Sequence, residues 1–142
     1  MTGHLVMGTL HTISAAKTVD RIIEIFPTNQ QPQIRSILSD ALRAVISQTM
    51  FKRIDVKGRC IALEILIATP AVRNLIREGK TYQIASSMQT GKKFGMRTLD
   101  DSIMELMQKG RIHADEAYNK CVDKEKFRPF TKSAPEDFTE VG

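Results

Sequence analysis

Three histidines, His4, His11 and His113, are the side chains of this sequence best matched to proton or phosphate chemistry near neutral pH. His4 and His11 stand seven residues apart. In an extended strand that spacing covers about 23 Å and sends the two rings to opposite faces. A shared metal or a close catalytic dyad is therefore excluded. His11 follows the apolar run Leu5-Val6-Met7-Gly8-Thr9-Leu10, which reads as a buried strand, and precedes Thr12, where a turn begins. At the carboxyl end of a strand in an open α/β sheet, a histidine is placed to donate to a phosphate. It is also placed to satisfy a loop carbonyl, and the residues alone leave both readings open. His113 reads as a helix-start residue without a chemical role.

Other constellations fail on spacing. Residues 74–81, N-L-I-R-E-G-K-T, end like the phosphate-binding loop G-x-x-x-x-G-K-[ST], but Asn74 replaces the first glycine. Leu75-Ile76-Arg77-Glu78, which should form the cradle, lie within an amphipathic helix, so Lys80 and Thr81 are not expected to bind a nucleotide. No G-x-S-x-G and no paired-carboxylate motif occurs, so the chain alone holds no complete active site. Cys60 and Cys121 have no Cys or His neighbours at zinc spacing. Nothing supports a long-range disulfide between them, and two reduced core thiols are expected.

The elements that would position these groups follow from caps and periodicity. Ser14 is an N-cap for a helix whose inner face is Ala15, Ala16, Val19, Ile22, Ile23 and Phe26, stopped by Pro27. Ile34, Ile37, Leu38, Ala41, Leu42, Val45 and Ile46 keep helical spacing and predict one helix through Ile46. Residues 49–54 and 60–67 predict a hairpin around Asp55-Val56-Lys57-Gly58, with Gly58 at positive φ. Thr69 and Pro70 open the next helix and Gly79 closes it. A short helix is expected over about 82–88, then a basic loop, Gly91-Lys92-Lys93-Phe94-Gly95. Thr98 with Asp101 starts a further helix that turns Leu99, Ile103, Leu106 and Met107 inward and ends at Gly110. A last helix near 114–122 precedes a polar tail, expected to be flexible over residues 124–142.

Composition agrees with a folded domain: 142 residues, of which 42% are hydrophobic, 26% charged and 6% aromatic. No run is apolar enough for a membrane span and the start does not read as a signal peptide, so a soluble, intracellular chain is expected. The net charge of +5 is uneven. Residues 51–97 hold ten basic and three acidic groups, while residues 98–142 hold seven basic and ten acidic ones. A basic block of this kind attracts nucleic acid, phosphates or an acidic protein, or is simply a solvated face. Arg73 and Arg77 repel mildly at helical spacing, which points to an acidic neighbour, internal or external, or to a face whose arginine stems cover apolar surface.

The run Thr2-Gly3-His4-Leu5-Val6-Met7-Gly8-Thr9-Leu10-His11-Thr12 resembles the His box of the hexameric secretion and type IV pilus ATPases. Ala71-Val72-Arg73-Asn74-Leu75-Ile76-Arg77-Glu78 resembles the A-I-R-N-L-I-R-E signature of the branch that powers pilus retraction and twitching motility, with Val72 for isoleucine. Residues 36–48 and the turn Gly95-Met96-Arg97-Thr98-Leu99 also fit, so the resemblance covers residues 2–122. The assembly branch inserts a tetracysteine zinc module after the counterpart of Ile46-Ser47-Gln48. Here a tight hairpin follows without one, which favours retraction.

The resemblance implies an α/β fold, the C-terminal remainder of a RecA-like ATPase core followed by a small helical subdomain. It divides the chain into residues 1–69 with the His box and hairpin, 70–123 with the signature, and the tail. It implies that the chain is a C-terminal fragment, with Met1 where the family carries a glutamate, and that the P-loop, acidic boxes and catalytic glutamate lie upstream. ATP and Mg2+ would serve the full-length protein, with no cofactor expected for the fragment, which would be inactive alone. By the match, His11 approaches the γ-phosphate, His4 belongs to the box with a less defined role, and residues 71–78 serve retraction rather than hydrolysis. The implied partners are five further copies in a hexameric ring and an inner-membrane pilus platform protein, with no nucleic acid and no membrane insertion. The implied location is cytoplasmic, peripheral to the inner membrane at the pilus base. The alternative is a basic helical adaptor that binds nucleic acid or an acidic protein through residues 51–97.

Overall fold

Ser14 decides where the first helix begins. In the computed structural model, which describes residues 3–12 and 14–131, its backbone is extended and its hydroxyl accepts from the Lys17 N–H at 3.1 Å. Helix α1, Ala15–Glu24, turns Ala15, Val19 and Ile23 into the core. A short turn, Thr28–Gln30, leads into α2, Gln31–Ala41, with Pro32 in its first turn.

Here the chain departs from its periodicity. Leu42 is extended (ψ 134°), and Val45 and Ile46, expected in the helix, belong to strand β1, Ala44–Lys52. Strand β2, Arg59–Ile67, pairs with it antiparallel, in register from Ala44↔Ile67 to Lys52↔Arg59. β-Branched residues sit well on a pleated surface, and this pairing overrides the helical spacing. The tip is closed by a bond from the Arg53 N–H to the Gly58 carbonyl at 3.0 Å, with Gly58 at φ +137° as expected. Both Arg53 and Asp55 lie in that tip. Their paired hydrogen bonds at 2.9 and 2.6 Å pull the Asp55 carboxyl down to about 2.

Thr69 caps α3, Pro70–Arg77, accepting from the Val72 N–H at 3.4 Å. A turn at Thr81–Gln83 and helix α4, Ile84–Thr90, follow; the basic loop holds the turn Lys92–Phe94. Thr98 caps α5, Leu99–Gln108, by accepting from the Asp101 N–H at 3.2 Å. His113 caps α6, Ala114–Lys120, through Nδ1, which is the role its position foretold.

Two hydrophobic clusters share the inner face of the hairpin. One gathers Val19, Ile23, Leu66, Val72, Ile76 and Ile84; the other gathers Phe51, Ala62, Leu99, Ile103, Ile112 and Phe127. On β2 the buried parity runs Ala62, Glu64, Leu66, so one carboxylate stands between the two clusters. Cys60 and Cys121 are both free thiols, and burial pushes the Cys121 thiol up.

Two further expectations change. The run from Leu5 to Leu10 is not a buried strand: residues 4–10 have no regular structure, and Leu5, Val6 and Met7 are 81–87% exposed. A strand needs a ladder, and among the described residues the only sheet is the hairpin. The stretch after Val122 is not a tail from its first residue. Helix α7, Lys124–Phe127, is capped by Asp123 and buries Phe127 completely. Residues 132–142 of the expected tail lie outside the described residues.

Candidate functional site

The octapeptide Ala71–Glu78 forms α3 and its cap, and its two faces do separate work. Val72 and Ile76 are buried in the first cluster, and Leu75 is half-buried against it, as are Ile34 and Leu38 of α2. The outer side meets the C-terminal end of α2, whose last carbonyls have no helical donor. Arg73 Nη1 donates to the carbonyls of Ser39 and Asp40, the latter at 2.9 Å. Arg77 donates to Asn74 Oδ1 at 2.9 Å and forms an ion pair with Asp40 at 3.3 Å. The acidic neighbour that the like-charged arginines require is thus internal, and the negative end of the α2 dipole adds to it. Arg73→Met keeps the apolar stem but removes the donors. It is expected to lower the unfolding free energy by about 1–2 kcal/mol, read from urea denaturation.

The histidines are placed differently. His4 and His11 are exposed in the irregular segment before α1, and the structure brings neither against the octapeptide helix by any hydrogen bond or ion pair. His11 is nonetheless tied to a fixed point, because its neighbour Thr12 shares a hydroxyl–hydroxyl bond with Thr18 of α1. The Thr18 hydroxyl in turn donates to the Ser14 carbonyl at 2.9 Å. His11 itself is exposed, one residue before this hydroxyl pair.

Lys80 and Thr81 build no phosphate cradle. Gly79 takes φ +74°, the Lys80 N–H turns back to the Leu75 carbonyl at 2.8 Å, and the Thr81 hydroxyl donates to Asp20 Oδ1 at 2.7 Å. Most of the basic block is likewise engaged inside the chain. Arg53, Arg77, Lys80, Lys92 and Arg97 form ion pairs with Asp55, Asp40, Glu78, Asp101 and Glu105, and Arg73 caps α2. Burial opposes the charged form of Asp101, but hydrogen bonds from Lys126, Lys92 and Thr98 outweigh it and hold the carboxyl below its ordinary value. Lys52, Lys57, Arg59 and Lys93 of the block stand outside these ion pairs, all exposed.

The residue that sequence reading missed is Glu64. Its carboxylate accepts from the Ala15 N–H at 2.8 Å and from the Leu99 N–H at 3.2 Å. The available signal was a lone acid inside the apolar run Ile61-Ala62-Leu63-Glu64-Ile65-Leu66, on the parity of its buried neighbours. No group of three or more His, Cys, Asp or Glu side chains among the described residues could hold a metal ion. Nor is any helix among them long and apolar enough to cross a membrane.

The comparisons agree on kinship. The family model of the type II/IV secretion system protein matches residues 1–119. A twitching motility protein of Neisseria gonorrhoeae is 52% identical over 124 residues, 87% of this chain and 33% of that one. The type IV pilus retraction ATPase PilT of Pseudomonas aeruginosa is 52% identical over 126 residues, 89% of this chain and 36% of that one. The chain thus spans about a third of the length of these curated relatives. Among solved structures, the pilus retraction motor PilT with bound ADP superposes with a TM-score of 0.79 at 41% identity, covering 90% of this chain and 35% of that one. The mixed helix-and-strand architecture and its single antiparallel hairpin accordingly match the C-terminal part of that ATPase core. By sequence and by fold, the chain belongs to the type II/IV secretion system protein family.

Proposed function

We propose that this chain is the C-terminal third of a hexameric ATPase motor that drives type IV pilus retraction. The observation that carries the reading is the 52% identity to a twitching motility protein and to PilT over nearly nine tenths of the chain. Crystals of the retraction motor hold ADP, which supports nucleotide as the ligand of the complete protein. In this reading His11 meets the γ-phosphate, where an exposed imidazole donor suits an anion. His4 belongs to the same box, and residues 71–78 transmit the stroke. Residues 1–69 then complete the ATPase core and residues 70–123 form the helical subdomain. ATP arrives with Mg2+, for which the described residues provide no ligand set. The ring is built from copies of the whole protein, works in the cytoplasm against the inner membrane at the pilus base, and acts there on the platform protein.

The test is a chimera. This chain replaces the matching C-terminal third of Pseudomonas aeruginosa PilT in a strain lacking that protein, and surface twitching is measured. Restored twitching is the expected result; full-length, ring-forming chimera without twitching would reject the retraction reading. The 142 residues by themselves, which contain no G-x-x-x-x-G-K-[ST], are expected to give no calorimetric signal with ATP. Micromolar binding would show that nucleotide recognition had been placed in the wrong part of the protein.

A further inference from the structure

Glu64 lies on β2 between the two hydrophobic clusters and is 8% exposed. Each carboxylate oxygen serves a different helix: Oε1 accepts from Ala15, the first residue of α1, and Oε2 from Leu99, the first residue of α5. Neither bond is local, since the partners are 49 and 35 residues away in sequence. Helix starts carry unsatisfied N–H groups and the positive end of the helix dipole, so a carboxylate shared by two of them is held from both sides. Charge-assisted bonds of this type are short and directional, and the group that makes them is planar and stiff. Capping a single helix needs one oxygen. Here the second oxygen ties the two helix starts to each other.

What the two helices lead to gives the tie its meaning. The start of α1 is where the His11 segment joins, through Ser14 and the Thr12–Thr18 hydroxyl pair. The start of α5 opens the C-terminal helices. There Asp101 is held by Lys92 and Lys126, and Asp100 accepts from the Val122 and Asp123 N–H groups at 2.8 and 2.9 Å, fixing the approach to α7. We infer that Glu64 is a positioning residue that transmits a shift of the His11 segment, on meeting a nucleotide phosphate, from the start of α1 to the start of α5. This rests on the reading of His11 as the phosphate-facing group. The path is a set of named bonds; β2 also meets α5 through the Leu63 N–H on the Ser102 hydroxyl and meets its lead-in through the Ile65–Arg97 bridge, so the share carried by Glu64 requires a measurement of coupling.

The measurement is hydrogen exchange at the Ala15 and Leu99 amides of the complete hexameric ATPase, loaded either with ADP or with a non-hydrolysable ATP analogue. In the parent protein, exchange at both amides is expected to differ between the two nucleotides by about tenfold, the scale of one charge-assisted hydrogen bond. Glu64→Gln keeps the shape but turns an NH2 group toward one of the two donors, so only one helix start is served. In that variant the difference at Leu99 should fall below about twofold, while the response at Ala15 persists. A full nucleotide response at Leu99 in E64Q, or none in the parent, overturns the proposal.

Should E64Q fail to assemble, Ala15→Pro removes the donor on the other side, at a first helical position that accommodates proline. The response at Leu99 should again disappear, and its survival overturns the proposal equally. His11→Ala separates the two readings. Loss of the response at both amides supports them together. Retention at both in H11A, with loss at Leu99 in E64Q, rejects His11 as the phosphate contact and leaves the Glu64 tie standing.

Discussion

Phe127→Ala is expected to destabilise the chain by about 3–5 kcal/mol, the cost of emptying a fully buried aromatic site. Phe127 has no exposed surface and packs in the cluster built from Phe51, Ala62, Leu99, Ile103 and Ile112. It reaches that cluster because Asp123 caps α7 and because Asp100 grips the preceding backbone at two N–H groups. A chain that ends before Lys124 loses the same side chain together with the bond from the Glu125 N–H to Asp123, and it should unfold at least as readily. Urea denaturation of the substituted and shortened chains, followed by circular dichroism, reads both effects. A loss below about 1 kcal/mol for Phe127→Ala would mean that the cluster closes without it.

His11→Ala in the complete ATPase is expected to lower ATP turnover by about 100-fold while ring assembly and thermal stability stay unchanged. The split follows from position. The imidazole is exposed, so its removal leaves no cavity and no buried polar atom without a partner. A donor to a developing phosphate charge, by contrast, is felt mainly in the transition state, so kcat should fall more than KM rises. His4→Ala serves as the comparison, from a position far along the same segment. Turnover unchanged in H11A rejects the phosphate role, and a fall in H11A matched by dissociation of the ring would assign the residue to assembly.

The local signals in the sequence were reliable where a single turn of chain decides the outcome. Ser14, Thr69 with Pro70, Thr98, Gly58 and Gly79 all act within five residues of themselves, and each behaves as its chemistry requires. The end of α2 was illegible for the opposite reason. Its periodicity runs on to Ile46, but the carbonyls of Ser39 and Asp40 are taken by Arg73, and Val45 and Ile46 are claimed by β2. Neither partner is adjacent in sequence. The segment around Leu5 carries the composition of a strand and lacks the neighbour that makes one. Glu64 stayed hidden because its role exists only once α1 and α5 have landed on the same face of the hairpin. The histidine box and the octapeptide were recognisable as motifs. Their division of labour, with the arginines of α3 engaged on α2, belongs to the folded chain.

The hairpin carries one more consequence, which concerns the chain in concentrated solution. Its inner face is sealed by two clusters, but the outer face shows Ile46, Met50 and Ile61, with Ile46 66% exposed. The outer rims of this two-stranded sheet are met by the Ile65–Arg97 bridge and by side chains alone: Ser102 on the Leu63 N–H, Lys120 on the Met50 carbonyl and Glu116 on the Lys52 N–H. Unpaired strand rims bordered by aliphatic side chains recruit further strands, and Lys52 and Arg59 guard only the end near the tip. Produced alone, the chain therefore carries an aggregation template within its most regular element. The colloidal limit on handling it is set at Ile46 and Met50, on the exposed face of the hairpin.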